Sequence, residues 1–474
     1  MNFGDKKNIY MIGIKGVGMA MLAQFLKGRG AIISGSDVSD IFPTDKTLAN
    51  SKITVKQGFS LKNFPAKIDM IIHSSAFTSE NNTEMKYFAD KNILTYSYAE
   101  ALGFLFDDYF GISVCGSHGK TTVTSWLGYV LYKSKVSPNV LTGSYVKQFK
   151  GSALVGKSKY FLAESDEYQN KLKYFNPKAV VLNNIDFDHP DYFKNDQDYI
   201  KVFSEFIKKI PKSGFLITNM EDKKSSQILH KCSGKIIGYY IDNSFLNKKI
   251  KYKKIYQAKD IRIKNNYQYF NLFCGKKLVG KFKISLPGHH NILNALAVIS
   301  TSLELGVSVK EIKKNLATFT GAARRFDVLG NYNEAVIIDD YAHHPNEIKA
   351  SLEAVKQRYP NKKIITVFHP HTFSRTKFLL DDFSKSFILS DDLYLIEIYS
   401  SAREKKDNIS SLDLIKKIRQ YNKNINNRQK VNYLKNIKVA EKELKSKVGP
   451  GDVVLFLGAG DIFKVAYNWL NIKS

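Results

Sequence analysis

Residues Cys115 to Thr122 read CGSHGKTT, and they leave the chain around them little choice of fold. Phe110, Ile112 and Val114 before them alternate like a strand, while Val123, Trp126, Leu127, Val130 and Leu131 after them share one side of a helix. A strand feeding a glycine turn that opens a helix presents backbone N–H groups and the positive helix end to one anion. Lys120 would then reach the terminal phosphates, and the hydroxyl of Thr121 or Thr122 would hold Mg²⁺. The loop is shorter than the usual phosphate loop, which has glycine where this chain has Val114. A glycine turn with an incidental Lys-Thr would look the same, but after a buried strand the nucleotide site is favoured.

The flanking sequence repeats the strand-then-helix alternation of α/β proteins. At 474 residues the chain outgrows one core, and at about 150 residues per domain about three are expected. Asn8 to Ile12 predict a strand, Gly13, Gly16 and Gly18 a turn, and Met21, Leu22, Phe25 and Leu26 the apolar side of a helix. A second strand is predicted over Ala31 to Ile33, running out at Ser36 and Asp37. This βαβ unit is close to the dinucleotide fingerprint, but its glycines are ordered GxxGxG, so a diphosphate-bearing ligand is expected rather than NAD specifically. The loop residues Gly13, Lys15, Gly16, Val17 and Gly18 would cradle that ligand. Asp37 either accepts from a ribose hydroxyl or caps the next turn. Ser74 and Ser75 follow the strand Met70 to Ile72 at a carboxyl end, where such sheets bind ligands.

Asp107 to Phe110 mark one boundary and Gly321 to Phe326 a second, giving units 1–108, 109–322 and 323–474. The expected class is α/β throughout: an N-terminal Rossmann-like domain, a central phosphate-loop ATPase-like domain and a C-terminal Rossmann-like domain. In the central unit, the predicted strands at Phe161 to Ala163 and Ala179 to Leu182 end in Glu164, Ser165, Asp166, Glu167 and in NNIDFDHPDYF. Acids and a histidine at successive strand ends beside a phosphate loop suit a Mg²⁺ site, with Glu164 and His189 as ligands. Asn291 and Asn294 share one helix face, able to read a base edge or simply to cap. Residues 221 to 283 are lysine-rich and say little about chemistry, apart from a hairpin at Tyr267 to Ile284. The third unit has strands ending in DDYAHHP, HPHTFSRT and, after Val453 to Leu457, in Gly458, Ala459 and Gly460, whose glycines serve a tight turn.

The formal charge of +28 comes mostly from scattered lysine. Without aromatic interleaving or a recognition motif, a solvated lysine coat is preferred over nucleic-acid binding. Arginine is sparse, which draws attention to Arg324, Arg325, Arg375 and Arg403, since a guanidinium fork suits phosphate and carboxylate. Cys115, Cys232 and Cys274 form no CxxC pair, which suits a reducing compartment. The first residues are too short and glycine-broken for a signal peptide, and no stretch approaches a membrane span. A soluble, cytoplasmic protein is expected.

GIKGVGM, GSHGKTT, AESDEY, NNIDFDHPDYF, PGHHNILNA, ARRFD, DDYAHHP and HPHTFSRT, in this order and spacing, closely resemble the Mur ligase family. The resemblance spans nearly the whole chain and is weakest through the lysine-rich middle. It implies an N-terminal domain for the UDP-sugar, a central ATPase and a C-terminal domain that carries the amino acid and closes over the nucleotide. The implied reaction uses ATP and Mg²⁺ to join L-alanine to the lactyl carboxylate of UDP-N-acetylmuramate through an acyl phosphate.

Carried over by motif, Gly116, Ser117, His118, Gly119, Lys120, Thr121 and Thr122 would surround the phosphates, with His290, Asn291 and Asn294 on the nucleoside. Arg325 and Asp340 would come from the third domain to the phosphates and ribose. Thr121 and Glu164 would hold one Mg²⁺ and His189 a second. Tyr341, His344 and Arg375 would surround the alanine. Lys120, His189, Arg325, His344 and Arg375 are the implied catalytic set, with His343 or His344 to accept the amine proton. Lys15 stands where many relatives have glycine, and Thr372 where many have a basic residue. A monomer or homodimer is expected, without nucleic-acid or membrane partners. Three alternatives stay open: a recycling ligase attaching a preformed tripeptide to the same sugar, a dinucleotide-dependent oxidoreductase, and, from charge alone, a nucleic-acid binder.

Overall fold

The structure, a computed structural model, describes residues 7–242, 249–400, 404 and 407–472; Arg403 lies outside them. It is built on three sheets. The first contains β1 (Asn8–Ile12), β2 (Ile32–Asp37), β3 (Thr54–Gln57), β4 (Met70–His73) and β5 (Leu94–Ser97), all parallel, in the order β3-β2-β1-β4-β5. Strand β2 runs to Asp37 rather than stopping near Ile33, because Ser34 to Asp37 pair with β3 on one side and Ser34 to Ser36 with β1 on the other. The helix Val17–Gly28 buries Met21, Leu22, Phe25 and Leu26, the face its spacing predicts, in a core shared with the central unit, where Phe25 meets Phe161 edge-on at 5.8 Å.

The central sheet has β6 (Phe110–Cys115), β7 (Asn139–Val146), β8 (Gly151–Leu154), β9 (Tyr160–Glu164), β10 (Ala179–Leu182), β11 (Phe215–Asn219), β12 (Lys235–Tyr240), β13 (Tyr252–Lys264), β14 (Tyr267–Cys274) and β15 (Lys277–Ile284). Their order is β15-β14-β13-β12-β11-β10-β6-β9-β7-β8. Ala179 to Leu182 are fully buried, as a continuous apolar run covered on both faces requires. The lysine-rich stretch forms the opposite edge. There Phe270, Leu272, Phe282 and Ile284 turn inward while Lys277, Lys281 and Lys283 stand exposed in the alternation of a half-covered sheet.

The third sheet has β16 (Asp327–Tyr332), β17 (Ala335–Asp340), β18 (Lys363–Phe368), β19 (Asp392–Ile396), β20 (Lys430–Leu434) and β21 (Asp452–Leu457), in the order β16-β17-β21-β18-β19-β20. Only β16 is antiparallel. In open sheets of this kind ligands bind at carboxyl ends where the strand order reverses. Three such points carry glycine turns. Gly13 follows β1 between β2 and β4, the CGSHGKTT loop follows β6 between β9 and β10, and Gly458 follows β21 between β17 and β18. Among the described residues, no helix is long and apolar enough to cross a membrane.

Candidate active site

The loop after β6 is shaped by two left-handed glycines, Gly116 (φ +124°) and Gly119 (φ +78°). Gly119 is the N-cap of the helix Lys120–Lys133, which has no side-chain cap and no acid in its first turn, so its N–H groups face outward as an anion site. A Cβ on Gly119 would lie 2.7 Å from Asn294 Oδ1 and 3.1 Å from Asn183 Nδ2. Gly119→Ala is therefore expected to cost about 1–2 kcal/mol of stability and, by displacing Asn294, to lower ATP turnover by more than about tenfold. Thermal unfolding and a steady-state phosphate assay on one preparation check both.

Lys120 Nζ donates to Gly116 O (2.6 Å), Ser117 O (3.1 Å) and Glu167 Oε2 (2.9 Å). Burial opposes its charge, but Glu167, Asp166 and Glu164 outweigh burial and hold the ammonium charged. Thr121 Oγ1 donates to Glu164 Oε1 at 2.9 Å, and Gly143 N–H donates to Glu164 Oε2 at 2.7 Å. Arg325 reaches across from the third unit to put Nη2 3.2 Å from Thr121 Oγ1. Burial raises the Glu164 pKa, against the pull of Arg325 and Lys120. A hydroxyl and a carboxylate side by side are a hard-oxygen set of the kind Mg²⁺ takes. His189, at φ +58°, stands apart from that pair: with Asp166 and Glu167 it forms a separate group whose ligand atoms lie within 4.8 Å of one another.

Beside the loop opens a cavity of about 250 Å³ lined by Thr122, His290, Asn291, Asn294, Arg325 and Asp340, among others. Asn291 Nδ2 is held by Pro287 O (2.7 Å) and Asn294 Nδ2 by Asn291 Oδ1 (3.0 Å), which leaves Asn294 Oδ1 beside the loop. Burial pushes His290 down to about 4, so the ring is neutral. Asp340 ends β17 at this wall, with Ser351 Oγ donating to Oδ2 (2.7 Å) and Ala342 N–H to Oδ1 (3.1 Å); burial raises its pKa.

His118 joins two units. Its Nε2 lies 2.9 Å from Asp186 and its Nδ1 3.1 Å from Glu347, in the helix Pro345–Arg358. Burial opposes protonation, but these two hydrogen bonds carry its pKa from 6.5 up to about 10. Asp186 is drawn down to about 2 by His118, against burial. A raised histidine pKa contributes stability in full below pH 6.5, and the contribution is lost as pH rises to about 10. His118→Gln is thus expected to destabilise by about 1–2 kcal/mol near pH 6, with the gap to wild type closing toward pH 10. Unfolding at pH 6, 8 and 10 measures it, and a pH-independent gap would assign His118 to packing alone.

The remaining residues of the third unit divide. Arg375, nearly buried, pairs with Asp188 Oδ1 at 2.8 Å across the same seam, and Asp188 lies well below the usual carboxylate range. Tyr341 lies under both Arg324 (5.0 Å) and Arg325 (4.9 Å). His344 is the N-cap of its helix, 3.6 Å from Asp186 with Nε2 unpartnered, and burial lowers its pKa. His343 is pushed down to about 4 by burial, which leaves it a neutral ring.

At the first unit, Gly16 opens the helix Val17–Gly28 with no side-chain cap and no acid in its first turn, and Val17 is exposed. Ser74 packs against Gly13 and donates its N–H to Ile12 O (2.9 Å); Ser75 is exposed beside it. Two side chains at the glycine loop are engaged within the unit. The Lys15 ammonium donates to Val38 O (3.0 Å) and Asp40 O (2.8 Å) and lies 3.4 Å from the Asp45 carboxylate. Asp37 is likewise taken up by backbone, accepting from Lys15 N–H (2.6 Å) and Val38 N–H (2.8 Å), so it shapes the loop. Sequence alone gave no individual role to Glu167, Asp186 or Glu347, although the first two lie among the acids that end β9 and follow β10. Glu347 had its own local signal, as the capping-box acid three residues after His344.

Matches to family models follow the three sheets. The chain matches the Mur ligase family catalytic domain over residues 8–110, the Mur ligase middle domain over 114–302 and the Mur ligase glutamate ligase domain over 324–460. It belongs to the Mur ligase family. Within that family it is 38% identical over 460 residues to a UDP-N-acetylmuramate–L-alanine ligase of Desulfitobacterium hafniense, covering 97% of this chain and 98% of the relative. Its fold is similar to that of a UDP-N-acetylmuramate–alanine ligase of Thermotoga maritima (TM-score 0.79, 24% identity, 98% of each chain). It is also similar to a murein peptide ligase of Psychrobacter arcticus (TM-score 0.72, 21% identity, 98% of each chain).

Proposed function

We propose that this chain is an ATP-dependent ligase that joins L-alanine to the lactyl carboxylate of UDP-N-acetylmuramate, in peptidoglycan precursor synthesis in the cytoplasm. One convergence carries this assignment: Lys120 and Thr121 on the loop, Glu164 on the next strand and Arg325 from the third unit meet at one point. They do so in a chain similar over its whole length to an alanine-adding ligase. Residues 1–108 hold the UDP-sugar, 109–322 hold ATP, and 323–474 bring the amino acid and close the site. The protein works as a monomer or homodimer.

A carboxylate is a poor acyl donor, so the γ-phosphoryl group of ATP moves to the lactyl oxygen and leaves an acyl phosphate. Two anions must approach in line, and the protein's part is to offset their charge and fix their geometry. The Lys120 ammonium and Arg325 guanidinium supply positive charge, and the helix N-terminus at Gly119 supplies N–H donors. Mg²⁺, when bound, would supply further positive charge against the charge that develops in the transfer. Thr121 and Glu164 would hold one ion and His189 a second. Asn294 and Asp340 orient the nucleoside. Tyr341, His344 and Arg375 surround the alanine, whose amine attacks the acyl carbonyl and expels phosphate. His343 or His344 takes the amine proton; burial keeps both rings neutral and makes each a weaker base than a free imidazole.

The test is phosphate release by purified protein with ATP, Mg²⁺ and UDP-N-acetylmuramate, with and without L-alanine. Release that does not depend on alanine overturns the assignment. An equimolar tripeptide competitor that outcompetes alanine would move the protein to the recycling ligases.

A further inference from the structure

The phenol of Tyr98 occupies the seam between the first two units, and no role above uses it. Tyr98 is the first residue of the helix Tyr98–Asp108, fixed by a capping box between Ser97 and Glu100. That helix passes into β6 through Tyr109 alone, so it runs back along β6 and its first turn lies at the carboxyl edge of the central sheet. The helix Val17–Gly28 reaches the same edge independently. It runs alongside β8, with Gln24 accepting from Ser152 N–H at 3.0 Å and Gly28 against Val155. Strand β8 is antiparallel to β7, and β7 is parallel to β9, so a helix running with β8 starts where β9 ends in Glu164.

The two first turns touch. A Cβ on Gly18 would fall 2.8 Å from Tyr98 Cζ, so glycine at that position leaves room for the ring. The Tyr98 hydroxyl has no hydrogen-bond partner among the described residues, although Glu164 and Asp166 are within electrostatic reach and burial keeps the phenol protonated. An unpaired donor is thus held between the glycine loop of one unit and the acids of the next. An ammonium there would pair with those acids and compete with Mg²⁺, whereas a neutral phenol leaves them free.

We infer that Tyr98 contacts the acyl-bearing substrate: its hydroxyl donates a hydrogen bond to an oxygen of the sugar or lactyl arm as that arm spans from the Gly13–Gly18 loop toward Glu164. This rests on the substrate proposed above, which must have its diphosphate at one end of the span and its carboxylate at the other. Tyr98→Phe removes the donor and keeps the ring against Gly18.

The experiment is calorimetric titration of the full-length wild type and Tyr98→Phe with UDP-N-acetylmuramate and, separately, with UDP. Steady-state kinetics run in parallel. The loss of one such hydrogen bond is expected to weaken UDP-N-acetylmuramate about five- to tenfold. UDP affinity and the KM for ATP stay within about twofold of wild type, because neither ligand includes the sugar arm. Equal weakening of UDP overturns the inference by placing the contact at the diphosphate, and unchanged binding of both ligands overturns it outright. Failure of the wild type to bind UDP-N-acetylmuramate would instead count against the ligase assignment itself.

Discussion

Lys120→Ala is expected to lower alanine-dependent phosphate release by at least about 10³-fold while leaving the affinity for UDP-N-acetylmuramate unchanged. Its ammonium lies among Glu167, Asp166 and Glu164, and the first of these holds it at 2.9 Å. Without it, an incoming triphosphate meets three carboxylates and loses the ammonium that would follow the migrating phosphoryl group. The variant also strands Glu167, which is 1% exposed, so a loss of about 3–5 kcal/mol in stability should accompany the loss of rate. The two effects separate in Lys120→Ala/Glu167→Gln. The second substitution removes the stranded charge and should recover most of the unfolding temperature, but none of the activity. Titration with the UDP-sugar checks that the first unit is intact. Turnover within about tenfold of wild type in either variant would refute the assigned role.

Arg325→Ala should lower kcat by about 10²–10³-fold, because a guanidinium brought to a phosphoryl group from a separate element is commonly worth that much or more. Its Nη2 lies 3.2 Å from Thr121 Oγ1, and its planar group stacks on Tyr341 at 4.9 Å, an orientation that a lysine cannot reproduce. Arg325→Lys should therefore recover less than about a tenth of the lost rate despite keeping the charge. The KM for the UDP-sugar should not move if, as proposed, that ligand is held by the first unit. A large rise in that KM with kcat preserved would show that Arg325 serves sugar binding and not phosphoryl transfer.

What the sequence made legible was local. The loop from Cys115 to Thr122, the glycine turn at Gly13 and the strands β1, β6 and β10 are written in periods of two and about 3.6 residues and in glycines that only turns require. In the lysine-rich segment after residue 221 only the hairpin that forms β14 and β15 was legible, because lysines on the solvent face dilute the apolar pattern that places β12 and β13 in the sheet. Side-chain direction was also hidden. Nothing in GIKGVGM says where the Lys15 ammonium will turn, since its acceptors at Val38, Asp40 and Asp45 become neighbours only after β2 has formed. The pairing of His118 with Glu347 spans two domains, and no short-range rule reaches that far.

Arg324 and Arg325 are consecutive, yet they belong to different partners. Arg324, at φ +59°, is tied to Asp339 and to the carbonyls of Gly458 and Gly460, all in the third unit. Arg325 points the other way, to the phosphate loop. Neighbouring Cα atoms are about 3.8 Å apart, so the chain commits itself to both units within one residue step. In mechanical terms the pair is a rivet, one shank fixed in the third sheet and the other in the loop of the central one.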